Sequence, residues 1–341
     1  MKNLHALALG ILTAATAFAA PGDILWTNQF DFAGNRDQAL AITGAGKNLY
    51  AAGRTRNAAG NDDWRVAAYD AATGTLLWTN QFDFAAGRDE ALSVATAGKI
   101  VAAAGRVRNG NNDDWYVETY DTATGTILWS DRADLTNGND RANCLAAAGN
   151  ILVAGGHVRN AAGNDDGFVR AYDATTGTPL WTDQFDAAAD NDDVSAVTIL
   201  GKKAIAVGHV TNGAGDRDWT VRAYDLLTGQ LAWSNQFDRV AGDDSALAVT
   251  GRGRALYVAG YTVNAGGNED FTVRAYDIST GNLLWEDQYD FAADDDRAVA
   301  LAVRGRTLTA VGRVANLAGD TDYYVRTLDA GTGNFLWDDR A

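Results

Sequence analysis

Short stretches of alternating apolar and polar residues, separated by turns rich in glycine and aspartate, fill most of the chain. In one region they occupy residues 90–96, 100–106, 115–120 and 126–133. Alternation over such lengths is typical of half-buried β-strands, and the short gaps between the stretches have the length of hairpin connections. The pattern therefore predicts four antiparallel strands in this region, which we call A, B, C and D.

The four-strand pattern recurs at a fixed interval. Its most regular marker is a tryptophan in strand D, and successive copies are 51 or 52 residues apart: Trp26, Trp78, Trp129, Trp181, Trp233, Trp285 and Trp337. Tandem four-stranded units are typical of a β-propeller, whereas a β-solenoid, the main alternative, has shorter coils. We predict an all-β fold, a six-bladed β-propeller of four-stranded antiparallel blades, with about 52 residues per repeat.

Most of the repeated residues have structural explanations. In the first unit, Asp70 closes strand C and can accept hydrogen bonds from turn amides, and Gly74 supplies the positive φ of the C–D turn. Trp78 is expected to pack between neighbouring blades, and Gly53 to end strand B where backbone approaches closely. The single cysteine, Cys144, occupies a small-residue position of strand A and is interpreted as core.

The repeat AYDAATGTLLW (68–78) carries a D-x-x-T-G-x-x-x-W pattern that resembles the propeller repeat of the pyrroloquinoline-quinone-type family. That family includes quinoprotein dehydrogenases and non-enzymatic outer-membrane assembly propellers. The stretches GRDEALSVA (87–95) and GRVRNGNNDDW (105–115) are similar to propeller repeats of secreted bacterial proteins. The resemblance covers about residues 23–341 and implies the propeller fold. Because the shared residues are structural ones, it says little about function.

Composition and the first residues narrow the class of protein. The chain has 44 acidic residues, 40 of them aspartate, against 28 lysines and arginines, a net charge of −16. Such a chain repels nucleic acid. Residues 1–20 contain Lys2, an apolar stretch and a small-residue cleavage pattern, and are interpreted as a signal peptide. We expect a single domain over residues 21–341, exported, soluble, without a membrane span, and monomeric.

Residues suited to catalysis are few. One cysteine cannot supply the adjacent pair that quinoprotein dehydrogenases place against their cofactor, so no cofactor is expected. His157 and His209 occupy one repeat position after strand B and are interpreted as exposed polar variants, with a shared metal as the alternative. The oxygen-rich B–C loops suit calcium but match no known calcium-loop spacing. We therefore predict a non-catalytic protein, with a cation- or glycan-binding module as the alternative and an enzyme third.

The loops that join strand B to C and strand D to the next A should emerge on one face and be acidic, whereas the A–B turns on the other face carry lysine and arginine with no acid beside them. We predict that the acidic face binds a basic protein or an extended polymer. The surplus strand at residues 24–31 is expected to pair with the last blade and latch the ring. The candidate partner residues are Asp63, Asp114, Asp166, Asp192, Asp193, Asp218, Asp243, Asp244, Asp270, Asp295, Asp296 and Asp322.

Overall fold

A computed structural model of the chain describes residues 24–29, 37–136, 138–188, 190–291, 294–316 and 320–341. Within these ranges all regular structure is β, in six antiparallel sheets of four strands each, so the prediction of six four-stranded blades is confirmed. We number the blades 1 to 6 in chain order. The predicted signal peptide lies outside the described residues. In the described part, no helix is long and apolar enough to cross a bilayer.

Each blade is a simple meander, because strands that follow one another along the chain are hydrogen-bonded neighbours. The strands are β1 (Gln38–Ala45), β2 (Asn48–Arg56), β3 (Asp62–Asp70), β4 (Leu76–Phe82), β5 (Glu90–Ala97), β6 (Ile100–Asn109), β7 (Asn112–Asp121), β8 (Ile127–Ala133), β9 (Arg141–Ala148), β10 (Ile151–Arg159), β11 (Asp165–Asp173), β12 (Pro179–Phe185), β13 (Asp193–Leu200), β14 (Lys203–Thr211), β15 (Arg217–Asp225), β16 (Leu231–Phe237), β17 (Ser245–Arg252), β18 (Ala255–Val263), β19 (Glu269–Asp277), β20 (Leu283–Tyr289), β21 (Arg297–Arg304), β22 (Thr307–Ala315), β23 (Thr321–Asp329) and β24 (Phe335–Arg340).

Adjacent blades are joined by the repeated tryptophan. Trp78 of blade 1 donates its indole N–H to the carbonyl of Thr122 in blade 2 over 3.0 Å, and its ring centre lies 5.8 Å from that of Tyr120. A Cβ on Gly125 would lie 2.6 Å from the indole, so only glycine fits beneath the ring. The glycine therefore serves both the positive φ of its turn and the approach of the next tryptophan.

The strand B glycines are also confirmed as sites of close backbone approach. A Cβ on Gly53 would lie 1.9 Å from the carbonyl oxygen of Gln38 at the start of strand A. Cys144 is buried and its thiol lies 3.3 Å from the carbonyl oxygen of Gly155, as expected of a core residue. Burial raises the pKa of this thiol above its usual value.

The predicted latch is wrong, because residues 24–29 lie against blade 1 rather than along the edge of blade 6. Trp26 donates to the carbonyl of Ala71 over 2.9 Å and Asn28 to that of Gly74 over 2.6 Å, which are the contacts a preceding blade would make. Residues 30 and 31 of the predicted strand lie outside the described residues. The C-terminal strand β24 forms the outer edge of blade 6 by pairing with β23.

The row of blades is not closed between blades 6 and 1. Each innermost strand packs against the next one along the row, but β21 does not pack against β1 in this way. Ile42 of β1 is 67% exposed, whereas Val94, its equivalent in blade 2, is 7% exposed. There are seven repeated tryptophans and six glycine turns to receive them, and Trp337 is left 50% exposed.

We expect two tryptophan substitutions to have unequal effects. Trp26→Ala removes an indole seated on blade 1 and should cost about 1–3 kcal/mol of unfolding free energy. Trp337→Ala removes an exposed ring and should cost less than about 0.5 kcal/mol. Urea denaturation of both variants measures the difference. A larger loss for Trp337→Ala would mean that Trp337 occupies the seat on blade 1 and that the ring is closed.

Candidate functional site

The B–C and D–A loops lie side by side on one face of the row of blades. The amide of Asp89, at the end of the first D–A loop, donates to the carbonyl of Asp62 over 2.7 Å. The side chain of Asn61 donates to the carbonyl of Gly87 over 2.8 Å. Equivalent backbone bonds recur at four further blade junctions, so the two loop sets form one continuous surface. We call it the loop face.

The aspartate directly before each strand A is buried beneath the loop face. Asp192 is fully buried and accepts hydrogen bonds from the amides of Ala187 in its own loop, over 2.8 Å, and of Thr211 in strand B, over 2.7 Å. Burial, with Asp186 and Asp166 nearby, raises its pKa to about 6. Four others make the same pair of bonds and also have a raised pKa, to about 7 or 6, caused mainly by burial: Asp89, Asp140, Asp244 and Asp296.

A second set of aspartates, at the start of strand C, is also buried. Asp166 accepts hydrogen bonds from Asn160 in the B–C loop and from Gln184 in strand D, each over 2.6 Å. Asp114 is paired at 3.0 Å with Arg132, which replaces the glutamine in its blade. These carboxylates hold each B–C loop to strand D. The buried members of this set are Asp63, Asp114, Asp166, Asp218 and Asp270.

Eight of the twelve predicted partner residues are therefore placed for internal hydrogen bonding rather than for contact with a partner. They are Asp63, Asp114, Asp166, Asp192, Asp218, Asp244, Asp270 and Asp296, and this corrects the prediction for these positions. Asp193 and Asp322 are half-buried, and Asp243 and Asp295 are exposed. The sequence held a signal for the difference, because an aspartate stands directly before strand A in every repeat whereas the residue before it varies.

Six exposed carboxylates lie on three consecutive D–A loops of blades 3 to 6. In the described part of the chain, none of them forms an ion pair with a lysine or arginine. Four were not predicted as partner residues. We call this set the acidic arc: Asp190, Asp238, Asp243, Asp290, Asp294 and Asp295.

The opposite face is less basic than predicted. Its A–B turns lie against the C–D turns, as in the 2.8 Å bond from the amide of Ala71 to the carbonyl of Lys47. The aspartates that close strand C therefore stand beside the basic residues, and Arg254 pairs with Asp277 at 3.1 Å. The expectation of basic turns with no acid beside them is wrong. The basic residues concerned are Lys47, Lys99, Lys202, Lys203, Arg252, Arg254, Arg304 and Arg306.

Charged residues also line the inner edge of the loop face, which the sequence analysis did not identify as a site. We define the inner rim as the first residue of each strand A together with the strand B residue that pairs with it. These pairs are Gln38 and Arg54, Glu90 and Arg106, Arg141 and His157, Asp193 and His209, Ser245 and Tyr261, and Arg297 and Arg313.

Inner-rim side chains meet across blade junctions. Arg54 of blade 1 pairs with Glu90 of blade 2. Arg297 of blade 6 pairs with Glu269 of blade 5, and its guanidinium lies 4.4 Å from the ring centre of Tyr261. The junctions therefore share one backbone arrangement but differ in the side chains that meet there.

The two histidines of the inner rim are half-buried, so their interpretation as exposed variants is wrong. His157 Nδ1 lies 3.1 Å from a carboxylate oxygen of Asp193 in the next blade. Burial lowers the pKa of His157, but the contact with Asp193 outweighs burial and the pKa is raised. Burial lowers the pKa of His209 to about 4, so this imidazole is neutral at pH 7.

One group of carboxylates is close enough to share a cation, within the part of the chain that the structure describes. Oxygens of Asp216, Asp218 and Asp238 in blade 4 lie within 4.8 Å of one another. Burial, followed by the charges of Asp218 and Asp216, raises the pKa of Asp238. The group arises because blade 4 has aspartate at position 216 where blades 1, 3 and 5 have asparagine.

Comparison with known proteins identifies a family. The sequence matches the family described as outer membrane protein assembly factor BamB over residues 13–197, 62–248 and 165–341. A curated relative, the quinohemoprotein alcohol dehydrogenase ADH-IIG of Pseudomonas putida, is 29% identical over 234 residues, which are 62% of this chain. The match spans 31% of the length of that enzyme.

Solved structures share the fold. BamB from Moraxella catarrhalis superposes with a TM-score of 0.52 at 18% identity and covers 89% of this chain and 76% of its own. Sqt1 from Chaetomium thermophilum, solved bound to the N-terminus of the ribosomal protein L10, has a TM-score of 0.50 at 13% identity and covers 91% and 89%. At these identities the likeness shows the fold alone.

We expect Asp192→Asn to destabilise the protein. The amide can accept only one of the two backbone N–H groups that Asp192 serves, so a buried donor is left unpaired at a cost of about 1–3 kcal/mol. Because the folded pKa of Asp192 is raised, protonation stabilises the folded state, and the wild type should gain stability over Asp192→Asn as pH falls from about 8 to 5.

Chemical denaturation at several pH values measures both effects. The exposed neighbour Asp190 provides the control, since Asp190→Asn should change neither the midpoint nor its pH dependence. A variant Asp192→Asn as stable as the wild type would contradict the structural role given to this carboxylate.

Proposed function

Since the chain belongs to the family of the outer membrane protein assembly factor BamB, we propose that it is an exported, non-catalytic propeller that binds a protein through the acidic arc of its loop face. The observation that carries the proposal is the separation of two kinds of aspartate. The aspartates directly before strand A and at the start of strand C are buried in loop hydrogen bonds, whereas the six aspartates of the acidic arc are exposed and form no ion pair with lysine or arginine in the described part of the chain.

The negative charge of the acidic arc favours a positively charged partner. Six carboxylates on one rigid surface attract lysine and arginine side chains, and loops on a rigid frame are a common place for binding residues. Relatives support a protein partner, because BamB is an assembly factor and Sqt1 was solved with a peptide segment of another protein. Export is supported by the apolar stretch that follows Lys2.

Binding of a lysine-rich peptide tests the surface directly. We expect the peptide to bind the full chain with an affinity that falls as salt rises, because exposed charges are screened over about 8 Å at physiological ionic strength. The double variant Asp290→Asn, Asp294→Asn should weaken binding by about 0.4–2 kcal/mol, roughly two- to thirtyfold. Fluorescence anisotropy of a labelled peptide measures both effects.

A matched control removes the same charge elsewhere. Asp83→Asn with Asp339→Asn neutralises two exposed carboxylates away from the acidic arc and should leave peptide binding within twofold of wild type. Equal losses in the two double variants would show that net charge, and not the arc, holds the peptide.

The alternative function, a calcium-binding module, has its best-placed residues in Asp216, Asp218 and Asp238. Calcium bound there would raise the melting temperature of EDTA-treated protein through ligand linkage, and Asp238→Asn would abolish the rise. The scaffold function predicts no change in melting with either calcium or EDTA, and peptide binding that is independent of both. Thermal denaturation with and without calcium separates the two functions.

A further inference from the structure

The junction between blades 2 and 3 departs from the charge pairing of the inner rim. At three of the other four junctions the rim residue of strand B contacts a complementary side chain at the start of the next strand A: Arg54 with Glu90, His157 with Asp193, and Tyr261 with Arg297. At this junction the corresponding residues are Arg106 and Arg141, two arginines. Two guanidinium groups face one another where the neighbouring junctions place opposite charges.

The carboxylates near this junction are already shared among other arginines. Glu90 pairs with Arg54, with Arg88 at 2.7 Å and with Arg106 at 2.7 Å. Asp113 pairs with Arg106 and, at 2.8 Å, with Arg108. Both carboxylates therefore already form ion pairs with at least two other arginines.

Arg141 itself has no partner in the described part of the chain. Its Nε is buried without a hydrogen-bond acceptor, and no ion pair reaches its guanidinium. Burial, followed by the charge of Arg106, lowers its pKa, and the charges of Asp193 and Glu90 offset this only in part. Asp193, the nearest acid in the next blade, is engaged by His157 at 3.1 Å and by Asn143 at 2.7 Å.

The local balance of charge is positive. Six arginines lie around four carboxylates, and a buried guanidinium donor without an acceptor costs free energy that an incoming anion would recover. Arg141 is half-buried, and Arg88 beside it is half exposed, so a small group can reach the junction from the loop face. The residues concerned are Arg54, Arg56, Arg88, Arg106, Arg108 and Arg141, with Asp62, Glu90, Asp113 and Asp193.

We propose that Arg141, with Arg88 and Arg106 beside it, forms an anion-binding site at the junction of blades 2 and 3, which takes a carboxylate or phosphate group of a ligand. The planar fork of N–H donors in arginine matches both groups. The site is separate from the acidic arc, which lies on the loops of blades 3 to 6, so it does not depend on the function proposed above.

The test measures thermal denaturation of the full chain in sodium chloride, sodium phosphate and sodium citrate at equal ionic strength. Phosphate and citrate also stabilise proteins by exclusion from the surface, so the informative quantity is the difference between wild type and variants. We expect phosphate, citrate or both to raise the melting temperature of the wild type above its value in chloride. This rise should exceed the general effect of the anion by at least about 2 °C. A response to phosphate alone assigns a phosphate ligand, and a response to citrate assigns a carboxylate.

Two variants of Arg141 and one control complete the design. Arg141→Gln should lose the specific response. Arg141→Glu places a carboxylate opposite Arg106, as Glu90 stands opposite Arg54, so it should melt no lower than wild type in chloride and show no response. Arg159→Gln removes a loop-face arginine already paired with Asp165 at 2.9 Å and should respond like wild type.

The outcomes are decisive in both directions. The site is supported if the wild type and Arg159→Gln respond and both Arg141 variants do not. It is overturned if wild type shows no more than the general effect, or if Arg141→Gln responds as wild type does. It is also overturned if both Arg141 variants melt well below wild type in chloride, because Arg141 would then already have a partner inside the protein.

Discussion

The structure depends on one contact between blades, an indole placed flat on a glycine turn. Six of the seven repeated tryptophans, all except Trp337, meet the following blade at a glycine where a Cβ would lie within 2.7 Å of the ring, and their N–H groups donate to a carbonyl there. The contact combines apolar burial with a directional bond. It therefore fixes both the spacing and the orientation of successive blades, and the remaining residues vary within that frame.

The large number of aspartates follows from the loops. Each D–A loop and each B–C loop leaves backbone or amide N–H groups beneath the surface, and a buried carboxylate with two oxygens serves two of them at once. In the described part of the chain, which has no helices and many such loops, the fold requires hydrogen-bond acceptors more than it requires charge. High acidity is thus partly a requirement of the fold, and only the exposed remainder is available for contact with a partner.

The blades and their order could be predicted from the sequence, because strand alternation and the tryptophan spacing are local patterns. Closure could not, since the leftover tryptophan depends on the angle between blades, which is set by how small inner residues such as Ala91 and Ala142 pack. The distinction between Asp192 and Asp193 was also missed. Asp192 lies directly before β13 and accepts hydrogen bonds from its own loop and from strand B, whereas Asp193 begins the strand and lies opposite His209, and these placements depend on contacts that are distant in sequence.

The two arginines that occupy the inner rim at the junction of blades 2 and 3 can be compared with the equivalent residues at the other junctions. Arg54 pairs with Glu90 across one junction, and Arg297 both pairs with Glu269 and lies over the ring of Tyr261 at another. Arg141 has neither arrangement among the described residues. Since the backbone of all five junctions is nearly the same, the difference lies in side-chain chemistry alone. In a repeated fold, comparison of equivalent positions identifies the residues at which one blade differs from the others. A function specific to this chain is to be sought at those residues.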